Sequence, residues 1–216
     1  MKGIATPLLA LALMVPASVP AAEPARGISA EIQAGLAEAR SEMRSELAKA
    51  RAELHTENLT LGNGLSVGSR KSRADSTLPP AHITPAGALV IDGKPVATDA
   101  AQRQLLLDYR GKVLEVASAG IDVGEKAALM AFKATDTSLL GLIVGAMTGS
   151  LEARIERTVR QELMPLVATV CLRLPGVLDS QQALAAALPP FAPYATLDAS
   201  DVADCERDMR NELALR

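Results

Sequence analysis

Residues 83–109 constrain the fold of this chain more than any other stretch, because they combine tight-turn residues with a helix start. Asp92-Gly93 is a pair that tolerates the positive φ angles of a two-residue hairpin turn. The apolar residues on either side predict that a strand over 88–91 returns as a strand over 94–97. The segment is therefore expected to form a tight β-meander that leads straight into a helix.

The helix after the meander is predicted to begin with a capping box, in which Asp99 is the N-cap and Gln102 returns the hydrogen bond. A further turn, at Pro85–Gly87, precedes the hairpin. One face of the helix is apolar, which predicts deep burial of Leu105, Leu106, Leu107, Tyr109, Val113, Leu114 and Val116. Gly120 is predicted to end this helix, and Asp122 to restart the next one.

The pattern along the whole chain predicts an α+β fold that is predominantly α-helical. A signal peptide over 1–22 precedes a long N-terminal amphipathic helix within 23–57. A small antiparallel β-hairpin and meander segment follows within 58–97, and a C-terminal helical region occupies 98–216. The part after the signal peptide has the length of one domain.

Several element ends are predicted from single residues. Pro165 is expected to break a C-terminal helix and Pro175 to end it, because proline lacks the N–H that an interior position needs. Ser200 is the predicted N-cap of the last helix. Strands over 59–61 and 65–67 flank a glycine-rich turn and are expected to pair as a hairpin.

The N-terminal helix, predicted over 29–56 with Ser29 as its N-cap, is amphipathic along a narrow stripe. The stripe consists of Ile32, Leu36, Ala39, Met43, Leu47, Ala50 and Leu54. This pattern is typical of a packing helix with a solvated back. A partner-binding arm is the functional alternative. A helix lying on a membrane surface ranks third, because it would need a more basic polar face.

The N-terminus has the pattern of a cleaved Sec-type signal peptide, in which Lys2 and an apolar run precede small residues. That run is too short to span a bilayer, and no later stretch qualifies, so we expect an exported protein without a transmembrane span. Cys171 and Cys205 would then meet an oxidising compartment, where a disulfide between them is expected. Such a bridge would contribute roughly 3–4 kcal/mol.

The composition argues against several functions. A net charge of −3, 2% aromatic residues and no Trp do not suit a nucleic-acid surface, which needs basic and stacking side chains. His55 and His82 lack the companion ligands of a metal site, so no metal or cofactor is expected. Residues 64–68 match the nucleophile-elbow pattern G-x-S-x-G, but a basic, polar linker follows them instead of a helix. The protein is therefore predicted not to be an enzyme.

Three glycines, Gly141, Gly145 and Gly149, recur at intervals of four in an apolar stretch. Small residues at that spacing let two helices approach closely. Close packing in the interior is one interpretation. The other is an exposed apolar patch that contacts lipid peripherally or binds a partner.

The block 83–109 also resembles a known family. The matching residues are Ile83, Thr84, Pro85, Gly87, Gly93, Lys94, Ala101, Gln102, Arg103, Asp108 and Tyr109. Their spacing resembles the YggN-like family, which comprises exported proteins of Gram-negative bacteria with a domain of unknown function. The resemblance implies a periplasmic location and a non-enzymatic role, and it supplies no catalytic residues.

Two classes of function follow from the sequence. The first is a non-enzymatic interaction or scaffold protein of the cell envelope, which binds a protein partner through the N-terminal helix or the glycine-spaced helix. The alternative is a periplasmic protein that binds a small ligand or a lipid in an apolar cleft between the meander and the helices.

Overall fold

The computed structural model describes residues 23–62, 78–135 and 150–214. It is predominantly α-helical with one small antiparallel sheet, which confirms the predicted α+β class. The helices are α1 (Glu23–Thr56), α2 (Ala100–Thr135), α3 (Ser150–Glu162), α4 (Met164–Ala187) and α5 (Ala199–Ala214), and a 3₁₀ helix, η1, spans Pro189–Tyr194. The strands are β1 (Leu59–Leu61), β2 (Ala81–Ile83), β3 (Leu89–Ile91) and β4 (Lys94–Pro95).

The described residues divide into two units, with the boundary inside α1 between Ala39 and Arg40. The first unit holds the N-terminal part of α1, and the second holds the rest of α1, the sheet and the other helices. Because α1 begins at Glu23, the predicted N-cap at Ser29 is wrong. Pro24 lies in the first turn of the helix, where a missing N–H is tolerated.

The strands run in the order β1-β2-β3-β4, each antiparallel to its neighbour. Asp92 has a φ of 50° and Gly93 a φ of 71°, so the predicted two-residue turn between β3 and β4 is confirmed. β4 ends at Pro95, before its predicted end at residue 97, although the Val96 N–H still donates to the Leu89 carbonyl at 2.8 Å. β1 pairs with β2, and the strand predicted over 65–67 lies outside the described residues.

The turn between β2 and β3 packs closely on α2. The Thr84 N–H donates to the Ala88 carbonyl at 2.9 Å, and the Thr84 hydroxyl accepts from the Ala88 N–H at 3.0 Å. Gly87 has a φ of +77°, and a Cβ atom placed on it would lie 2.8 Å from Cγ of Leu107. Glycine is needed here for both reasons, so this turn also fixes the sheet on the helix.

α2 begins with the predicted capping box. The Gln102 N–H donates to Asp99 Oδ1 at 2.8 Å, and the Asp99 N–H donates to Gln102 Oε1 at 3.1 Å. The predicted end at Gly120 is wrong, because the helix continues well beyond it. An interior glycine costs only about 1 kcal/mol, and the core face continues across it from the buried Ala119 to the partly buried Val123.

The break near Pro165 is confirmed, since α3 and α4 are separated at Leu163 and bent by 46°. Pro165 lies in the first turn of α4, where its missing N–H costs little. The predicted end at Pro175 is wrong, because α4 runs through this residue. Leu174 and Val177 on either side of it belong to one buried face, and this tertiary packing overrides the local preference.

The segment that connects α4 to α5 is held in place by buried aromatic rings. η1 buries the rings of Phe191 and Tyr194. The N-cap of α5 is Asp198 and not Ser200, because Asp198 Oδ1 accepts from the N–H groups of Ser200 at 2.8 Å and of Asp201 at 3.0 Å. A carboxylate that accepts two backbone hydrogen bonds is a stronger cap than a serine hydroxyl.

The core lies where the sheet, α2, α4 and η1 meet. Its most deeply buried large side chains are Ile83, Leu89, Leu106, Cys171, Leu174, Val177, Leu184 and Phe191. α2 and α4 run antiparallel, and polar contacts join them at both ends of this core. Gln102 Nε2 donates to the Ala187 carbonyl at 2.8 Å, and Arg173 Nη1 donates to the Glu115 carbonyl at 3.1 Å.

The predicted disulfide is present. It joins Cys171 in α4 to Cys205 in α5, and the two Cα atoms are 5.7 Å apart. Cys171 is buried, and Cys205 packs against the core from its edge. The bridge therefore attaches the last helix to the buried part of α4.

We expect Gly87→Ala to lower the free energy of unfolding by about 2–4 kcal/mol, because a left-handed backbone penalty adds to a clash with Leu107. Gly93→Ala is the matched control. Its φ is also positive, but nothing lies within 4 Å of the added Cβ, so it should cost only about 1–2 kcal/mol. Urea unfolding measures both, and equal losses would contradict the close approach of the turn to α2.

Candidate functional site

Arginine side chains join the second-unit part of α1 to α2. Arg40 Nη2 donates to the Phe132 carbonyl at 3.2 Å, and its guanidinium lies 5.3 Å from the centre of the Phe132 ring. Arg51 Nη2 lies 2.8 Å from Asp122 Oδ1 and 2.6 Å from Glu125 Oε2. The hydrogen bonds to these two carboxylates raise the pKa of Arg51. Solvent screens such ion pairs, so they orient α1 against α2 more than they stabilise the contact between the two helices.

Arg110 differs from the other two arginines because it is buried, with 7% of its surface exposed. Its Nη2 donates to the carbonyls of Leu54 and His55, each at 3.1 Å, and to that of Glu57 at 2.8 Å. Carbonyls at a helix end lack partners inside the helix, and a cation there also meets the negative end of the helix dipole. Arg110 thus caps α1 from the neighbouring helix.

The apolar stripe of α1 is only partly covered. In the second unit, the stripe residues within 43–54 are half-buried. In the first unit, Ile32 is 57% exposed. Residues 31–39, which we call the arm segment, contain no cation, and their acidic side chains, Glu31 and Glu38, are exposed. The arm segment therefore presents an apolar side chain on an acidic stretch of helix.

A small cavity lies beside β1, between this strand, α2, α4 and the segment around η1. Its volume is about 150 Å³. The lining residues are Leu59, Thr60, Leu61, Gly62, Tyr109, Val113, Gln181, Tyr194, Thr196 and Leu197. None of these side chains carries a charge at neutral pH.

Most polar side chains deep in the cavity wall are already hydrogen-bonded. Gln181 Nε2 donates to the Leu197 carbonyl at 2.7 Å, and Gln181 Oε1 accepts from the Leu197 N–H at 3.2 Å. The Tyr194 hydroxyl donates to the Pro79 carbonyl at 2.8 Å. Tyr109 is also buried, with 6% of its surface exposed. Burial raises the pKa of Tyr109 to about 12.

The residues that carry the family resemblance lie along the joint between the sheet and α2. Those that form turns, caps or core contacts are Ile83, Thr84, Gly87, Gly93, Gln102 and Tyr109. Those that are exposed are Pro85, Lys94, Ala101, Arg103 and Asp108. Of the whole set, Tyr109 alone lines the cavity, so these residues do not converge on one cleft.

Other predicted features lie outside the described residues. They are the signal peptide, the G-x-S-x-G match and the glycines Gly141, Gly145 and Gly149. His55 lies in the last turn of α1, where its carbonyl accepts from Arg110, and His82 pairs within the sheet. In the described ranges, no group of three or more His, Cys, Asp or Glu side chains is placed to hold a metal ion.

The same ranges contain no single helix with the length and apolar composition needed to cross a membrane. Residues 156–162 and 164–187 pass that test only when they are taken together as a bent pair. Most of the second member packs into the core through its buried face.

Comparison of the chain with protein-family models, with curated proteins and with solved structures finds no match. The resemblance to the YggN-like family therefore stays a prediction that rests on residues 83–109.

The role of Arg110 was not predicted from the sequence, and the predicted apolar cleft between the meander and the helices was stated without the residues that line the cavity. The position of Arg110 in the sequence does indicate that it is buried. It lies four residues after Leu106 and four before Leu114, on the face of α2 predicted to be buried. An arginine at such a position needs a partner that accepts its hydrogen bonds. The cavity carries no local signal, since its wall comes from segments far apart in the chain.

We expect Arg110→Met to lower the free energy of unfolding by about 2–3 kcal/mol, because three part-buried hydrogen bonds from a charged donor to carbonyls at the end of α1 are lost. Arg51→Met is the matched control, since it removes an arginine from the same seam whose partners are solvated. Its loss should be clearly smaller in the same urea titration. A larger loss for Arg51→Met would contradict the capping role of Arg110.

The chain has two tyrosines and no Trp, so tyrosinate absorbance reports on Tyr109 and Tyr194 alone. The Tyr109 phenol is expected to ionise near pH 12 instead of 10. Because the folded state holds this proton more tightly, the stability it contributes is complete below pH 10 and is lost as the pH rises toward 12. Tyr109→Phe should remove the later step of the absorbance titration, and persistence of that step would refute the assignment.

Proposed function

We propose that this protein is an exported, periplasmic and non-enzymatic interaction protein of the cell envelope, whose arm segment binds a protein partner. The observation that carries the proposal is the 57% exposure of Ile32 on a stripe whose other residues are half-buried. A single exposed apolar residue is common on protein surfaces. The charges around Ile32 are therefore equally important.

The charges of the arm segment predict the chemistry of the partner. Glu31 and Glu38 are exposed, and no cation accompanies them within residues 31–39. An acidic helix with an apolar anchor fits a basic groove on another protein, in which Ile32 would fill an apolar pocket. Opposite charges would speed the encounter and set its orientation. An anionic membrane surface attracts Lys and Arg instead, so we favour a protein partner over lipid.

Three features support the compartment. The disulfide between Cys171 and Cys205 is compatible with an oxidising, exported location. The signal-peptide pattern over 1–22 and the YggN-like resemblance support export to the periplasm in particular.

A photo-crosslinking residue at position 32 is expected to form one dominant adduct with a protein partner in intact cells, because that side chain would lie inside the interface. Position 34 is the matched control, since Ala34 is exposed on the same helix away from the apolar stripe. Mass spectrometry identifies the adducts. Equal adducts from both positions, or none from position 32, would contradict the proposal.

Charge reversal tests the predicted chemistry of that partner. Glu31→Lys combined with Glu38→Lys should lower the yield of the position-32 adduct about tenfold. The control is Glu42→Lys combined with Glu53→Lys, which makes the same change in net charge at exposed residues outside the arm segment. Circular dichroism confirms that the helix content is unchanged. Equal loss from both pairs would count against a basic groove specific for the arm segment.

A further inference from the structure

The outward face of α4 carries almost no charge, which is unusual for a helix at the surface. Arg173 and Asp179 are the two charged residues of this helix. Arg173 is half-buried and donates to the Glu115 carbonyl of α2, so Asp179 is the one ionised side chain of α4 that faces outward. A surface helix normally presents polar and charged side chains to water, whereas a helix that is apolar all round is covered. The outward face of α4 is therefore expected to have a partner.

The residues on this face follow a heptad repeat, and we name them the outer stripe. They are Pro165, Ala168, Leu172, Pro175, Asp179, Gln182 and Ala186. Ala168 is half-buried and the others are exposed, with Leu172 at 71%. Alternate spacings of three and four are the pattern of the a and d positions of a coiled coil, which pack along another helix. The outer stripe is about 30 Å long, so it fits a second helix better than a small ligand.

The charges along the outer stripe indicate which helix fits it. Neither Asp179 nor Lys112 of α2 forms an ion pair within the described part of the chain. The Lys112 side chain passes beside the outer stripe, because a Cβ atom placed on Gly176 would lie 3.8 Å from Cδ of Lys112. A partner helix that brings a carboxylate level with Gly176 would meet this cation. A second copy of α4, packed antiparallel about a two-fold axis near residue 177, brings its own Asp179 to that level.

The same alignment provides for a second polar group. Pro175 has no N–H to donate to the Cys171 carbonyl four residues earlier in α4. This carbonyl belongs to the residue next to Leu172 of the outer stripe. In the two-fold arrangement, Gln182 of the second copy lies level with Leu172, where its amide can donate to the Cys171 carbonyl. A lone polar contact would leave the alignment open, but Asp179 and Gln182 select the same one.

We propose that this protein forms a two-fold symmetric dimer in which α4 packs antiparallel on α4 of a second copy through the outer stripe. Lys112 of each copy pairs with Asp179 of the other, and Leu172 packs on the aliphatic part of Gln182. Each contact occurs twice, because a two-fold interface uses the same patch on both copies. A lipid surface fits the outer stripe less well, since Asp179 in its middle would be buried without a cation.

The oligomeric state of the purified protein tests the proposal. Sedimentation equilibrium should show a monomer–dimer equilibrium with a Kd on the order of 10 μM. Leu172→Asp should raise this Kd at least about tenfold, because the largest apolar side chain of the outer stripe is replaced by a second carboxylate. A protein that stays monomeric at about 1 mM, or an unchanged Kd for Leu172→Asp, would overturn the proposal.

Ile32→Asp is the matched control, since it makes the same kind of change at another exposed apolar side chain on a helix. It should leave the Kd of the dimer unchanged, because the arm segment takes no part in this interface. A loss of dimer in Ile32→Asp equal to that in Leu172→Asp would contradict the assignment to α4. The dimer does not depend on the partner proposed for the arm segment, so either proposal can fail without the other.

A charge exchange tests the alignment of the two helices. Lys112→Glu and Asp179→Lys should each raise the Kd about tenfold, because each places like charges opposite one another. The combined variant restores opposite charges and should return the Kd to within about threefold of the parent. Circular dichroism confirms that each variant is folded. A combined variant weaker than both single variants would show that the two residues do not pair.

Photo-crosslinking locates the contact directly and remains decisive if a charge variant is poorly folded. A crosslinking residue at position 172 should join two copies, with the adduct near Gln182 of the second copy by tandem mass spectrometry. Position 104 is the control, since Gln104 is exposed on α2 away from the outer stripe. Adducts from position 172 that map far from Gln182, or adducts only with lipid when vesicles are present, would overturn the proposal.

Discussion

The packing of α2 against α4 is the interaction on which the rest of this structure depends. A chain with 2% aromatic residues has to build its core from aliphatic side chains, and these two helices supply most of them. The edge contact between the rings of Tyr109 and Phe191, with centroids 5.2 Å apart, closes one side of that core. Other parts attach to α2: the sheet at Gly87, and α1 through Arg110.

α1 is attached by contacts of another kind. The sheet and α4 bury apolar surface on α2. The second-unit part of α1 is instead attached to α2 through Arg40, Arg51 and Arg110, and its apolar stripe is half-buried. A helix held mainly by long polar side chains opens at lower free energy than a buried one. This difference suits the interaction role that we propose for α1, because apolar surface on the helix would stay accessible to a partner while the core remains folded.

Local chemistry was predictable from the sequence, and packing was not. Two features follow from the conformational preferences of neighbouring residues, namely the Asp99–Gln102 capping box and the Asp92-Gly93 turn. The disulfide was expected from the oxidising compartment that the signal-peptide pattern predicts. The errors at Gly120 and Pro175 have one cause: each is a poor helix residue, yet the buried face of its helix continues on both sides. Arg110 shows the same limit, since its partners at the end of α1 lie more than fifty residues away in the chain.

Native-state hydrogen exchange would test most directly the claim that α1 is a separately attached helix on an α2–α4 core. Amides in the buried parts of α2 and α4 should exchange only through global unfolding, because their protection depends on the whole core. Amides of α1 within residues 40–56 should exchange at a lower free energy, through an opening that leaves the core protected. Equal protection of α1 and α2 at every denaturant concentration would show a single cooperative unit and would contradict the account.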